Sequence, residues 1–323
     1  MLRLIFSMLF TLGSTTESNA GDLELYVLRN LEDNLKYNMD KRIAFVSLSD
    51  NYPLSEDPNS LAIPDPKDLE KEELQYFRLD SEYRKRLLSA TGVQETDYVF
   101  IYDYSTDALL SFPVEDLNAV AYLNDYRSVD ECPCDQHDYM IGLEISKDAV
   151  GASKNYYTDV LVHIGEENVF THGEMKPIVW KIIDQNEFPS ARISSETRYL
   201  HARATRGDTY LYESNELRYL LQDLTRIGSA PVTDRHLLVI DKKDGGILVD
   251  RVFEDGESLS PASLSVEIPK EDEFARPEQW TGKLFRNKPP VLFGLEYASF
   301  GCPNIIFLDS EEEDIDINCD NRH

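Results

Sequence analysis

Two thiols one residue apart, Cys132 and Cys134, with an imidazole three residues further on at His137, form the densest group of reactive side chains in the sequence. Thiolate and neutral imidazole are good ligands for zinc. A tetrahedral site would then draw its fourth ligand from Asp135, Asp138 or a distant histidine. No second paired motif supports such a site, and oxidation competes with it: each cysteine can bridge to a separate partner, or the two can join in a labile bond. With Cys302 and Cys319 the chain has four cysteines, an even count compatible with three pairings. Cys302 with Cys319 is the simplest, closing a modest loop. Disulfides are favoured over a metal for Cys132 and Cys134.

The second group is the acidic run Asp309 to Asp320, DSEEEDIDINCD. Hard cations take several oxygen ligands at once, and Asp314, Asp316 and Asn318 fall on the first three ligand spacings of a calcium-binding loop. Cys319 then stands where such a loop needs its turn glycine, and the chain lacks the twelfth-position glutamate. The alternation of Asp314, Ile315, Asp316, Ile317 and Asn318 better suits an edge strand with one wet face, or a solvated tail. Calcium and zinc are thus secondary expectations, and no other cofactor is called for.

The remaining polar candidates are weaker. His163, His201 and His236 sit in strand-like patterns and His172 precedes Gly173, but no serine lies in a G-x-S-x-G elbow that would make any of them a catalytic base. Arg206-Gly207-Asp208 is read as an ordinary turn between strands. The 18 tyrosines are dispersed, which fits sheet packing better than one aromatic platform.

Apolar periodicity gives the elements that must position these groups. Arg235 to Phe253 alternates towards a polar turn ending in two glycines and returns, the pattern of a β-hairpin; Tyr98 to Pro113 and Thr209 to Leu221 repeat it. Strands are expected at 23–28, 43–48, 139–145, 159–164, 177–183, 199–204, 263–268, 291–297 and 305–308. Leu28 to Met39 predicts a short helix. Leu69, Leu74 and Phe77 predict another, and Tyr83, Leu87 and Leu88 a third ending at Gly92. The fold class is mainly β or α+β, with hairpin-rich antiparallel sheets and a few short N-terminal helices; an irregular propeller-like repeat is the alternative. Residues 1–20 read as a signal peptide, with Arg3 before an apolar core and Ser18-Asn19-Ala20 at the cleavage position. An N-terminal α+β region over 21–128, a β-rich region over 129–308, continuous with it or separate, and an acidic tail over 309–323 complete the division. The irregular stretch 124–138 is the best boundary candidate.

A formal net charge of −28, unchanged by loss of Arg3 and Glu17 with the leader, repels phosphate backbones and anionic membranes. Nucleic acid is therefore excluded as a partner, and no later segment is long and apolar enough to span a bilayer. The expectation is a secreted or periplasmic acidic protein that binds or scaffolds a protein, peptide or glycan. An exported hydrolase, with or without a divalent ion, with an acidic site assembled from loops, is the competing reading.

Overall fold

In the strand Tyr98–Asp103 every second side chain faces the same way, and both sets are apolar: Val99 and Ile101 on one face, Phe100 and Tyr102 on the other, all buried. A strand of this kind needs cover on both sides, and it lies near one end of the largest sheet. The computed structural model describes residues 23–31, 43–146, 150, 160–228, 232–266, 277–299 and 301–321. Nine strands hydrogen-bond in the order Met175–Pro177, Trp280–Gly282, Val291–Phe293, Asn304–Phe307, Ile315–Asn318, Leu25–Tyr26, Val160–Gly165, Tyr98–Asp103 and Ala108–Pro113. Neighbours run antiparallel, except that Leu25–Tyr26 runs parallel to Ile315–Asn318.

This sheet curls on itself. Tyr104, just past Tyr98–Asp103, has its ring centroid 5.1 Å from that of Trp280, although six inter-strand steps separate the two strands. At about 4.8 Å per step a flat sheet would hold them about 29 Å apart. One core therefore gathers Leu25, Tyr102, Leu161, Trp280, Val291 and Ile305 from across the concave face. Each such side chain, fully buried, contributes about 1.5–3 kcal/mol relative to its exposed state.

The convex face is shared by two further sheets. One, ordered Leu28–Asn30, Ile43–Ser47, Tyr139–Ser146, Asn118–Leu123 and Tyr76–Arg78, packs Val46, Ala121 and Leu143 against Tyr26, Val99 and Val162. The helix Ser81–Thr91 joins that core through Leu87 and Leu88. It begins where the Asp80 carboxylate accepts from the backbone N–H groups of Glu82 and Tyr83, and ends at Gly92 with φ +73°. The other is a meander of Lys181–Ile183, Ala204–Glu213, Leu217–Arg226, Asp234–Asp241 and Ile247–Glu254, which packs Tyr219, Leu221 and Val239 on Leu292 and Ile306. A ribbon of Leu259–Pro261 with Glu296–Ala298 lies beyond it.

All three expected hairpins are present, and the described residues are mostly β, in largely antiparallel sheets, with only short helices. Sheets of nine, five, five and two strands are not the four-stranded blades of a propeller. Several local expectations are corrected. Phe77 belongs to the strand Tyr76–Arg78 rather than to a helix: its aromatic neighbours pair well across the sheet, and Phe77 packs edge-on to Tyr139. The segment expected as a strand over 199–204 is instead the helix Ser195–His201, started by the Ser194 side chain accepting from Thr197 N–H. Arg206-Gly207-Asp208 is a bulge inside the strand Ala204–Glu213, not a turn between strands. Asn118–Leu123 was not anticipated as a strand, and it pairs with Tyr139–Ser146 across the irregular stretch 124–138. The helix expected over Leu28 to Met39 begins instead as the strand Leu28–Asn30, paired with Ile43–Ser47; most of the remainder of that expected helix, like the leader, lies outside the described residues.

Gly142 sits in mid-strand, opposite both Ser47 and Val120, where a Cβ would lie 2.0 Å from the Val46 carbonyl oxygen. Backbone on this crowded interior strand has little room to yield. Gly142→Ala is expected to destabilise the protein by about 3 kcal/mol, read from the midpoint of urea unfolding.

Candidate functional site

Curling leaves the concave core with an open end, and a cleft of about 290 Å³ lies there. Leu161, Phe293 and Ile317 from the large sheet line it, together with Tyr104 and Leu259. Tyr104 stands edge-on to both Trp280 and Phe293, each centroid 5.1 Å away, so its ring is held from two sides. Two carboxylates, Glu278 and Glu296, also line it.

Each acid is placed by backbone that the fold pins. Glu278 precedes Gln279, whose fully buried side chain donates from Nε2 to the carbonyls of Ser263 at 2.9 Å and Gly294 at 2.8 Å, and accepts at Oε1 from Ser265 N–H at 3.0 Å. Gly294 has φ +83°, and a Cβ there would strike the Glu278 carbonyl oxygen at 2.0 Å, so only glycine permits this approach. Glu296 starts one strand of the ribbon, opposite Pro261. The next residue along from Pro261, Ala262, gives its carbonyl to Arg235 and its N–H to the Leu295 carbonyl. Arg235 is itself buried and paired with Asp223 at 2.8 Å. The ribbon is thereby fixed to the meander.

Glu296 is partly buried and has no hydrogen bond or ion pair to its side chain among the described residues. Desolvation holds its carboxyl above the usual range, Arg251 opposes that shift and Asp314 adds to it. Arg251 does not neutralise it directly, because its guanidinium is hydrogen-bonded to Asp314 and lies over the Phe253 ring.

A second polar assembly is sealed away from this cleft. His201, at the end of the helix Ser195–His201, lies with Nε2 2.6 Å from Nδ1 of His236, whose Nε2 lies 2.8 Å from Asp250 Oδ1. Asp250 Oδ1 accepts from His236 Nε2–H. That leaves His236 Nδ1 to accept from His201 Nε2–H, and His201 Nδ1 as a lone pair with no hydrogen-bond partner. Phe188 packs on both rings, and Asp250 Oδ2 accepts from Ser194 N–H at 2.7 Å. Both histidines are less than a tenth exposed. Burial is the main cause that lowers His201 to about 4, with His236 and Arg206 adding to it; His236 is lowered by burial against the opposing pull of Asp250. The arrangement clasps the helix to the meander. Periodicity placed His201 and His236 in separate strands, and only the sheet pairing and the unexpected helix bring them together.

The groups singled out by spacing are distributed differently. Cys132 is bonded to Cys134, and Cys302 to Cys319, so the favoured disulfide reading and the simplest pairing hold, and the thiolates that the alternative zinc site would need are consumed. His137 faces Glu56 at 3.2 Å. Asp314 pairs with Arg251. Asp316 lies opposite Asn304, and Asn318 opposite Tyr26, in a strand flanked on both sides, so Ile315–Asn318 is interior to the sheet rather than an edge. Among the described residues, no group of three His, Cys, Asp or Glu side chains is placed to hold a metal ion. Of the expected site residues, Cys302 lines the cleft; Glu278, Glu296 and Tyr104 were not identified from spacing.

The histidine clasp sets a pH dependence. In the folded chain His201 resists protonation down to about pH 4, whereas in the unfolded chain it protonates near 6.5. The unfolded state therefore binds more protons between these values, and the clasp's contribution to stability is complete above about pH 6.5 and lost as pH falls towards 4. Urea midpoints measured at about pH 7, 6 and 5 are expected to fall less steeply in His201→Gln than in the native chain. Comparison of the chain with protein-family models, with curated proteins and with solved structures finds no match.

Proposed function

We propose that this chain is an exported, acidic binding protein whose ligand enters at the open end of the curled sheet. The observation that carries the reading is the partly buried Glu296 carboxylate, held without an ion-pair partner among the described residues beside the apolar walls of a cleft. Concave, mostly apolar sites with a few fixed polar groups are where ligands are recognised, and the mouths of curled sheets are a common place for them. A carboxylate left partly desolvated costs stability. Recognition of a partner makes that cost useful.

The rival reading, an exported hydrolase, requires a base within reach of a nucleophile and of substrate. The polarised His201 and His236 are buried beneath a helix and line none of the described clefts. Export is supported by the leader-like residues 1–20 and by two disulfides, bonds characteristic of oxidising compartments. Among the described residues no helix is long and apolar enough to cross a membrane.

Intact mass of the exported protein is expected to place the first residue at Gly21, with all four cysteines inert to alkylation before reduction. The same preparation is expected to show no turnover above a protein-free control on ester, glycoside, peptide and phosphoester substrates, with or without calcium or zinc. Turnover that follows the protein through purification, and is lost in a Glu296→Gln or Glu278→Gln variant, would replace the binding reading with the hydrolase.

A further inference from the structure

We infer that the cleft at the open end of the curled sheet receives a basic side chain, lysine or arginine, presented by a partner polypeptide. This rests on the binding reading above and names the partner's chemistry. Glu278 and Glu296 supply negative charge, while Leu161, Leu259, Phe293 and Ile317 supply apolar wall. Lysine and arginine carry a charged head on an apolar stem, and they bury the stem along apolar surface while the head seeks an acceptor. Neither half of the cleft alone makes that demand. An uncharged apolar ligand would leave Glu296 desolvated without compensation, and a bare metal cation would find no use for the walls.

The charge is available to an incoming cation. Arg251, whose charge favours the ionised form of Glu296, is committed to Asp314, and Asp314 itself disfavours ionisation of Glu296. A cation arriving beside Glu296 relieves both the desolvation and the like-charge repulsion. The backbone that carries each acid is also pinned. Glu278 is set by the Gln279 hydrogen bonds and the close approach of Gly294, and Glu296 by the ribbon anchored through Arg235.

A polypeptide is favoured over a free amine because the negative surface does not end at this cleft. A second, open cleft of about 530 Å³ is lined by Glu311, Glu312, Glu313, Asp314 and Asp316, with Lys288 paired to Glu312 and Arg251 to Asp314. A single ammonium neutralises one acid, whereas a chain with several basic residues can pair with more of this acidic surface. The net charge of −28 would draw such a partner over distance and make its association rate fall with added salt.

The test uses the processed, disulfide-intact protein and isothermal titration with three probes: acetyl-GKGKGKG-amide, the same peptide with every lysine ε-acetylated, and butylammonium chloride. The charged peptide is expected to bind at least tenfold more tightly than the acetylated peptide and than butylammonium. Glu296→Gln and, independently, Glu278→Gln are expected to weaken peptide binding at least tenfold and at least threefold, with thermal midpoints unchanged or raised. Equal binding of the acetylated peptide, or undiminished binding by both variants, overturns the assignment. Butylammonium binding as tightly as the peptide moves the site to free organic amines and overturns the polypeptide partner. Absence of any peptide binding by the native chain overturns the basic-side-chain assignment alone, because failure of the binding reading appears separately, as substrate turnover.

Discussion

The contact of Tyr104 with Trp280 is the constraint on which the rest of the molecule turns. It exists only if a nine-stranded sheet bends through most of a closed cylinder, and such bending requires places where backbone can crowd. Gly282 and Gly294 are those places: with φ of +143° and +83°, each lets a carbonyl oxygen of the neighbouring strand or its flank come within about 2 Å of where a Cβ would stand. Glycine kinks of this kind curve sheets. Once the sheet is curved, its concave side chains pack on one another, its convex side chains need separate cover, and its end is a cavity. Both five-stranded sheets and the cleft follow from that one deformation.

Closure also depends on joining the two ends of the chain. Leu25–Tyr26 lies between Val160–Gly165 and the C-terminal strand Ile315–Asn318, so the large sheet is discontinuous until residues nearly three hundred positions apart have met. Fixing so long a loop is entropically expensive, and the junction is reinforced accordingly. Arg29 donates to the carbonyls of Cys319 and Asp320, at 2.5 and 3.1 Å. The buried Asp320 accepts from Ser47 Oγ at 2.5 Å and gives its N–H to Asp50 at 2.8 Å. The Cys302–Cys319 bond shortens the last excursion. Ile317, Asn304 and Cys302 from this junction all line the cleft, so the candidate site exists only when the junction is formed.

What was legible in the sequence was whatever short-range periodicity dictates. The hairpin 235–253 announced itself through alternation and paired glycines, and the helix 81–91 through its spaced leucines and Gly92. The pairing of Cys302 with Cys319 was the simplest choice by loop length. Misreadings occurred where tertiary contacts outweighed local preference: Phe77 entered a strand because Tyr139 offered it an aromatic face, and Tyr199 to His201 entered a helix because Ser194 and Asp250 caps its start. The strand Ile315–Asn318 read as an edge because its outer residues are acidic, yet those residues face an open cleft while both flanks are paired. The cleft itself was illegible, since Glu278 and Glu296 are two of 60 acidic residues and nothing in their spacing sets them apart. Their distinction is an environment created by curvature.

The distribution of buried charge then separates structural from recognition roles. Asp223 has Arg235 and Tyr210; Asp138 has Arg127 and its own capping turn; Asp250 has His236 and the Ser194 backbone. In each case the charge is paired by groups of the same chain, as expected where burial must be compensated within the folded state. The histidine clasp belongs to this class: its donors and acceptors are arranged to hold a short helix, and its rings are shielded by Phe188 from any substrate. Glu296 differs because the fold brings it out of full solvation, surrounds it with apolar wall and commits the nearby guanidinium to another acid. A group in that position keeps a cost of burial that the chain does not compensate with an ion pair among the described residues, and this is the cost that the basic partner proposed above would offset.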